Sequence, residues 1–226
     1  MNTQFQAVLF DLDGTLIDTA DDFVACLNSL LAFKGKSPLP ADKIRTVVSD
    51  GARAMISLAF DIKEGDEGFD TLKQQFLDLY LENIATHSRL FSSLDEILNW
   101  CQRHGIPWGI VTNKPRKYSE PLIKALKLDG HIGTLVCPDD VTNTKPDPEP
   151  MFKACQEISV ESQKCLYVGD HARDIAAGKN ANMKTIAAGY GYVHDQHEAL
   201  SWQADWTVDT SQELTELLKT LLVPKH

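Results

Sequence analysis

The sequence predicts an α/β fold: a parallel sheet core with an all-helical cap inserted after its first strand. Three observations predict it. Short apolar runs of strand length recur along the chain with helical patterns between them, as in a parallel sheet covered on both faces. That alternation stops after the first run and resumes only past residue 90, and the stretch between has helical periodicity and no convincing strand. Each of the first four runs ends in polar residues, and ligands of open parallel sheets bind at the carboxyl ends of the strands.

In chain order, residues 6–10 (QAVLF) form the first buried strand. Residues 19–33, 41–48, 52–60 and 69–84 read as the cap helices, separated by KGKSPLP, SDG and DIKEGDEG; Phe76, Leu79, Tyr80 and Asn83 share one face of the last. Hinges near residues 16–17 and 90–92 divide the chain into a core at 1–16 and 90–226 and a cap at 17–89. The core resumes with a helix whose apolar residues, Leu94, Ile97, Leu98 and Cys101, recur at i, i+3, i+4 and i+7. Strand PWGIV (107–111), a helix through Leu122, Ile123 and Leu126, strand TLVC (134–137), a weaker helix marked by Phe152, Cys155, Gln156 and Ile158, and strand KCLYV (164–168) follow. KTIAA (184–188) and DWTV (205–208) are further strands, and 213–222 closes the chain as an amphipathic helix.

A hydrophobic content of 43% supports a sizeable core, and a formal net charge of −10 argues against nucleic acid or an anionic membrane as the main partner. No apolar run approaches the ~18 residues of a membrane span, and the start MNTQFQAVLFDLDG lacks the basic lead of a signal peptide, so a cytoplasmic location is expected. Five widely spaced cysteines without a CxxC pair predict reduced thiols and no zinc. A monomer or weak dimer is expected.

The chemistry lies at the strand ends. Asp11-Leu12-Asp13-Gly14-Thr15 follows the first strand, Thr112-Asn113-Lys114-Pro115 the second, Thr144-Lys145-Pro146-Asp147 the third and Gly169-Asp170 with Asp174 the fourth. Asp11, Asp13 and Asp170 concentrate negative charge, which calls for a cation, and oxygen ligands with room for water suit Mg²⁺. Thr112 supplies a hydroxyl, Lys145 a fixed positive charge, and a helix opening with Pro115 in its first turn supplies free N–H groups for an anion. This set suits a phosphate, and a carboxylate nucleophile beside it suits an aspartyl-phosphate intermediate.

DxDGT at residues 11–15, the hydrophobic-Thr-Asn of 111–113, Lys145 and GDxxxD at 169–174 together resemble the four motifs of the haloacid dehalogenase superfamily, over essentially the whole chain. The resemblance implies a Rossmann-like core with a helical cap, and most members are phosphatases. It implies that Asp11 attacks phosphorus, that Asp13 serves as acid and then base, and that Thr112 and Lys145 hold the phosphoryl oxygens, with Asn113 a further substrate contact. It implies Mg²⁺ on a side-chain oxygen of Asp11, the backbone carbonyl of Asp13, Asp170 and waters, with Asp174 an outer or occasional direct ligand. In capped relatives the junction VSDGAR (48–53) reads the leaving group, which nominates Gly51 and Arg53. FDLDGTLIDT, VTNKP and GYGY are similar to the phosphoglycolate phosphatase group. SDGARAM, THSRLF and CPDDVTNTKPDPEP resemble more closely its bacterial subgroup acting on N-acetylmuramic acid 6-phosphate in peptidoglycan recycling. The substrate is then a small phosphorylated metabolite. A sugar-phosphate mutase and a catalytically silent binding module stay open beside it.

Overall fold

In a computed structural model of the chain, residues 5–193 and 197–222 are described. The elements run β1 (Ala7–Phe10), β2 (Ile17–Asp18), α1 (Ala20–Phe33), α2 (Ala41–Arg45), α3 (Gly51–Phe60), α4 (Phe69–Glu82), β3 (Arg89–Leu90), α5 (Leu94–Arg103), β4 (Trp108–Val111), α6 (Arg116–Ala125), β5 (Thr134–Val136), α7 (Glu149–Glu157), β6 (Cys165–Gly169), α8 (Ala172–Asn180), β7 (Lys184–Ala188), α9 (Glu198–Ser201), β8 (Trp206–Val208) and α10 (Ser211–Leu221). They divide into two compact units, Met1–Ile17 with Leu90–His226, and Asp18–Arg89.

The first unit is a six-stranded parallel sheet in the order β5-β4-β1-β6-β7-β8, with the helices as crossovers. β1 lies between β4 and β6, with Val8 opposite both Trp108 and Leu166. All four residues of β1 and all five of β6 are buried, as expected of strands covered on both faces. Burying each large apolar side chain of this kind contributes roughly 1.5–3 kcal/mol. From β1 the chain builds outward to β4 and β5, then crosses back to β6, β7 and β8. The sheet therefore reverses direction beside β1, and the carboxyl ends of β1, β4 and β6 meet at the switch point where such sheets bind ligands.

The second unit is built from α1 to α4. Phe23 of α1 stacks on Tyr80 of α4 at 4.2 Å between ring centroids, with Phe76 at 6.2 Å. Asp22 is buried in α1 because the Ser88 hydroxyl and the backbone N–H groups of His87 and Ser88 all donate to it.

The structure corrects several local expectations. The stretch read as strandless begins with β2, which pairs with β3; two residues are too few to show a period. On α4, Phe76 and Tyr80 are buried but Asn83 is exposed, since it caps the helix end. On α7, Met151, Ala154 and Cys155 face the core, while Phe152 is 47% exposed. Pro115 does not enter the first turn of α6 but precedes it, with ψ 146°.

Candidate active site

Asp11 follows β1 directly, and its N–H donates to the Val168 carbonyl of the neighbouring β6 at 2.8 Å. This bond carries the parallel ladder one residue past the strand and fixes where the carboxylate emerges. The next turn reverses sharply: Gly14 has φ +81° and its N–H donates to the Ile17 carbonyl at 3.0 Å. A Cβ at Gly14 would stand 2.2 Å from Asp170 Oδ2, so only glycine lets this turn lie against Asp170.

Lys145 is the centre of the cluster. Its ammonium donates to Asp11 Oδ1 (2.8 Å), the Val111 carbonyl (2.9 Å) and the Tyr167 hydroxyl (3.0 Å), and it pairs with Asp174 Oδ1 at 2.7 Å. Burial opposes the charge, but Asp11 and Asp174 outweigh it and hold the ammonium pKa above its ordinary value. The Tyr167 hydroxyl in turn donates to the Val111 carbonyl at 2.9 Å. Asn113 Nδ2 donates to the Lys145 carbonyl at 3.1 Å, tying the loop after β4 to the loop that carries Lys145.

Asp170, at the end of β6, accepts from the Thr15 hydroxyl at 2.9 Å and the Tyr192 N–H at 3.1 Å. Burial, then Asp11 and Asp174, raise its pKa to about 7. Burial likewise raises Asp11 to about 6, with Lys145 pulling the other way. Asp174, in the first turn of α8, is fully buried, and among the described residues its Oδ2 has no hydrogen-bond partner. Oxygens of Asp11, Asp170 and Asp174 lie within 4.8 Å of one another. Two buried carboxylates and the partly covered one of Asp11 gather beside one buried ammonium, and one carboxylate oxygen has no partner among the described residues. Such an all-oxygen donor set fits a hard divalent cation. Asp13 stands apart from this cluster: its Oδ1 accepts from the Lys114 ammonium at 2.9 Å.

Thr112 is buried, receives the Lys114 N–H on its hydroxyl at 3.0 Å, and donates its own N–H to the Val136 carbonyl of β5. Asp11, Asp13, Thr112, Asn113, Lys145, Asp170 and Asp174 all lie in the sheet unit. Gly51 and Arg53 lie in the helical unit, where Gly51 opens α3 at φ +81° and Arg53 pairs with Glu64 at 3.2 Å. Of the N–H groups expected to hold an anion at the start of α6, that of Arg116 donates to Asp139 Oδ2 at 2.8 Å.

Three side chains at the site escaped the sequence reading. Lys114 was visible as the residue after Thr112-Asn113 in a strand-exit loop. Tyr167 was visible as the single hydroxyl in an otherwise apolar strand. Thr15 stands out in the sequence only as part of its motif.

A strand-end carboxylate, a buried lysine and a carboxylate cluster at a sheet switch point suit a phosphoric monoester hydrolase, and comparison with known proteins bears that class out. The model of the haloacid dehalogenase-like hydrolases matches residues 8–188, and the chain belongs to that family. It is 42% identical to an N-acetylmuramic acid 6-phosphate phosphatase of Pseudomonas aeruginosa, over 97% of each chain. It is 37% identical to a phosphoglycolate phosphatase of Xanthomonas campestris pv. campestris, over 93% of this chain and 95% of that one. Among solved structures it superposes on a predicted phosphoglycolate phosphatase from Haemophilus somnus with a TM-score of 0.83 at 27% identity, covering 95% of this chain and 98% of the other.

Proposed function

We propose that the chain is a Mg²⁺-dependent phosphatase that hydrolyses N-acetylmuramic acid 6-phosphate through an aspartyl-phosphate at Asp11. The observation that carries the substrate is the 42% identity, over 97% of each chain, to the Pseudomonas aeruginosa phosphatase of that name. The strand-end cluster supports the chemistry. Asp11 Oδ attacks phosphorus as the ester P–O bond breaks, and Asp13 gives its proton to the departing sugar oxygen. A water then attacks the aspartyl-phosphate and loses its proton to Asp13, the P–O bond to Asp11 breaks, and phosphate leaves. Thr112 and Lys145 hold phosphoryl oxygens, and Lys145 keeps Asp11 oriented. Asp11, the Asp13 carbonyl, Asp170 and Asp174 would hold Mg²⁺, which supplies charge neutralisation for the transferring phosphoryl group.

A second reading, 2-phosphoglycolate as substrate, is favoured by the 37% identical Xanthomonas relative. Both substrates carry a carboxylate, for which Arg53 is the candidate partner. The test is kcat/KM for phosphate release from the two esters, measured side by side with Mg²⁺. A ~100-fold preference for the amino sugar, about 2.7 kcal/mol of differential transition-state binding, is expected. The reverse preference would make the enzyme a phosphoglycolate phosphatase.

A further inference from the structure

The two aspartates of the first motif are each paired with a lysine, and the two lysines come from different loops. Lys145 holds Asp11 at 2.8 Å, and Lys114 holds Asp13 at 2.9 Å. The Lys114–Asp13 pair is largely covered, with 8% and 17% of the two side chains exposed. Lys114 reaches Asp13 from a fixed base. Its N–H donates to the Thr112 hydroxyl at 3.0 Å, and its carbonyl accepts from the Ser119 hydroxyl at 3.1 Å. The Thr112 N–H is itself held by the Val136 carbonyl of β5. One loop thus presents the phosphoryl-binding hydroxyl of Thr112 and, two residues later, the ammonium on Asp13.

We propose that Lys114 is a positioning residue for Asp13, setting the carboxylate where it exchanges a proton with the leaving oxygen. This rests on the acid–base role given to Asp13 above. Asp13 sits on the reversing turn at Gly14, and its carboxylate would otherwise sample several rotamers. An ammonium anchored on Oδ1 selects one of them and gives the second oxygen a defined place. The demand falls on the step in which the P–O(ester) bond breaks and the alkoxide is protonated. It is absent when the leaving group departs as a stable anion.

The experiment compares kcat/KM for a sugar 6-phosphate and for p-nitrophenyl phosphate, whose leaving group needs no proton. The enzymes are wild type, Lys114→Met, Lys114→Arg, Asp13→Asn and the double variant Asp13→Asn with Lys114→Met. Lys114→Met is expected to lower the sugar ester roughly 10- to 100-fold, part of the ~10²–10⁴ of acid–base catalysis, and p-nitrophenyl phosphate less than about 3-fold. Lys114→Arg is expected to recover most of the loss. In the Asp13→Asn background, Lys114→Met should cost nothing further. A loss equal for both esters, a rise in KM with kcat unchanged, or full additivity in the double variant would overturn the proposal. If Asp13→Asn itself slows both esters equally, the acid role of Asp13 is wrong and the proposal falls with it. Lys114→Gln, closer in length and polarity, repeats the comparison should the methionine variant fail to fold.

Discussion

Asp11 and Asp13 leave the same strand two positions apart, yet the structure gives them different company. Asp11 joins Asp170 and Asp174 around Lys145, and Asp13 turns to Lys114. In the proposed mechanism Asp11 is the nucleophile and Asp13 the acid and then the base. Asp13→Asn should therefore lower kcat/KM for the sugar ester by ~10²–10⁴, and Asp11→Asn should cost far more, because no carboxylate remains to take the phosphoryl group. Steady-state phosphate release checks both; near-equal losses would contradict the division of roles. Lys145 carries a structural burden as well. Replacing it with Met would leave buried Asp174 and partly covered Asp11 without their cation, at a cost of about 3–5 kcal/mol in the cation-free protein, measurable by urea unfolding. At this scale the sequence was informative wherever a polar residue followed an apolar run, which marks Asp11, Thr112 and Asp170; Lys145, far along a loop, stands out only beside those motifs. The sequence marked neither Lys114 nor Tyr167 as a site residue, though both stand in view. A lysine in a loop reads as solvated and a tyrosine in a strand as packing, and only the register of β1, β4 and β6 makes them neighbours.

At the level of elements, the sheet strands were legible because each is a short apolar run between breakers, and α5 because four buried residues span two full turns. Helix faces were less legible in short helices. α7 has nine residues, too few for a period of 3.6 to fix its rotation, and Phe152 as its largest apolar side chain drew the apolar stripe toward the wrong side. The corrected face predicts a sharp contrast. Met151→Ala removes a fully buried side chain and should cost about 2–5 kcal/mol. Phe152→Gln, one residue away and half exposed, should stay within ~0.5 kcal/mol. Thermal or urea unfolding of the two variants settles it, and a large loss for Phe152→Gln would restore the original face. Tight packing behind the site predicts a third effect. A Cβ at Gly169 would stand 2.2 Å from Asp174 Cβ, so Gly169→Ala must push α8 away from β6. Overpacking of this kind costs typically ~1–3 kcal/mol, and here it also displaces a cluster carboxylate, so weaker cation binding in calorimetry should accompany the lower stability.

For the molecule as a whole, the carboxylate cluster couples its charge state to folding. Asp11 and Asp170 titrate at about 6 and about 7 in the folded chain, against an ordinary 3.8. Their folded pKa values are raised, so between pH 4 and 7 the folded state holds more protons than the unfolded one. Stability from these groups is then fully present below about pH 4 and is lost as pH rises through 6 and 7. A divalent cation held at this cluster, as proposed, would act with the opposite sign, since it would bind the ionised carboxylates and displace those protons. The melting-temperature gain on adding Mg²⁺ should therefore be small at pH 5 and several-fold larger at pH 8, with the fall in stability toward alkaline pH seen only in chelator-treated protein. The cluster lies entirely within the sheet unit, so if the two units melt separately, the cation should raise one transition and leave that of residues 18–89 where it was. A gain independent of pH would mean that the cation binds elsewhere than at these three aspartates. A gain shared equally by both transitions would mean that the two units fold as one cooperative body.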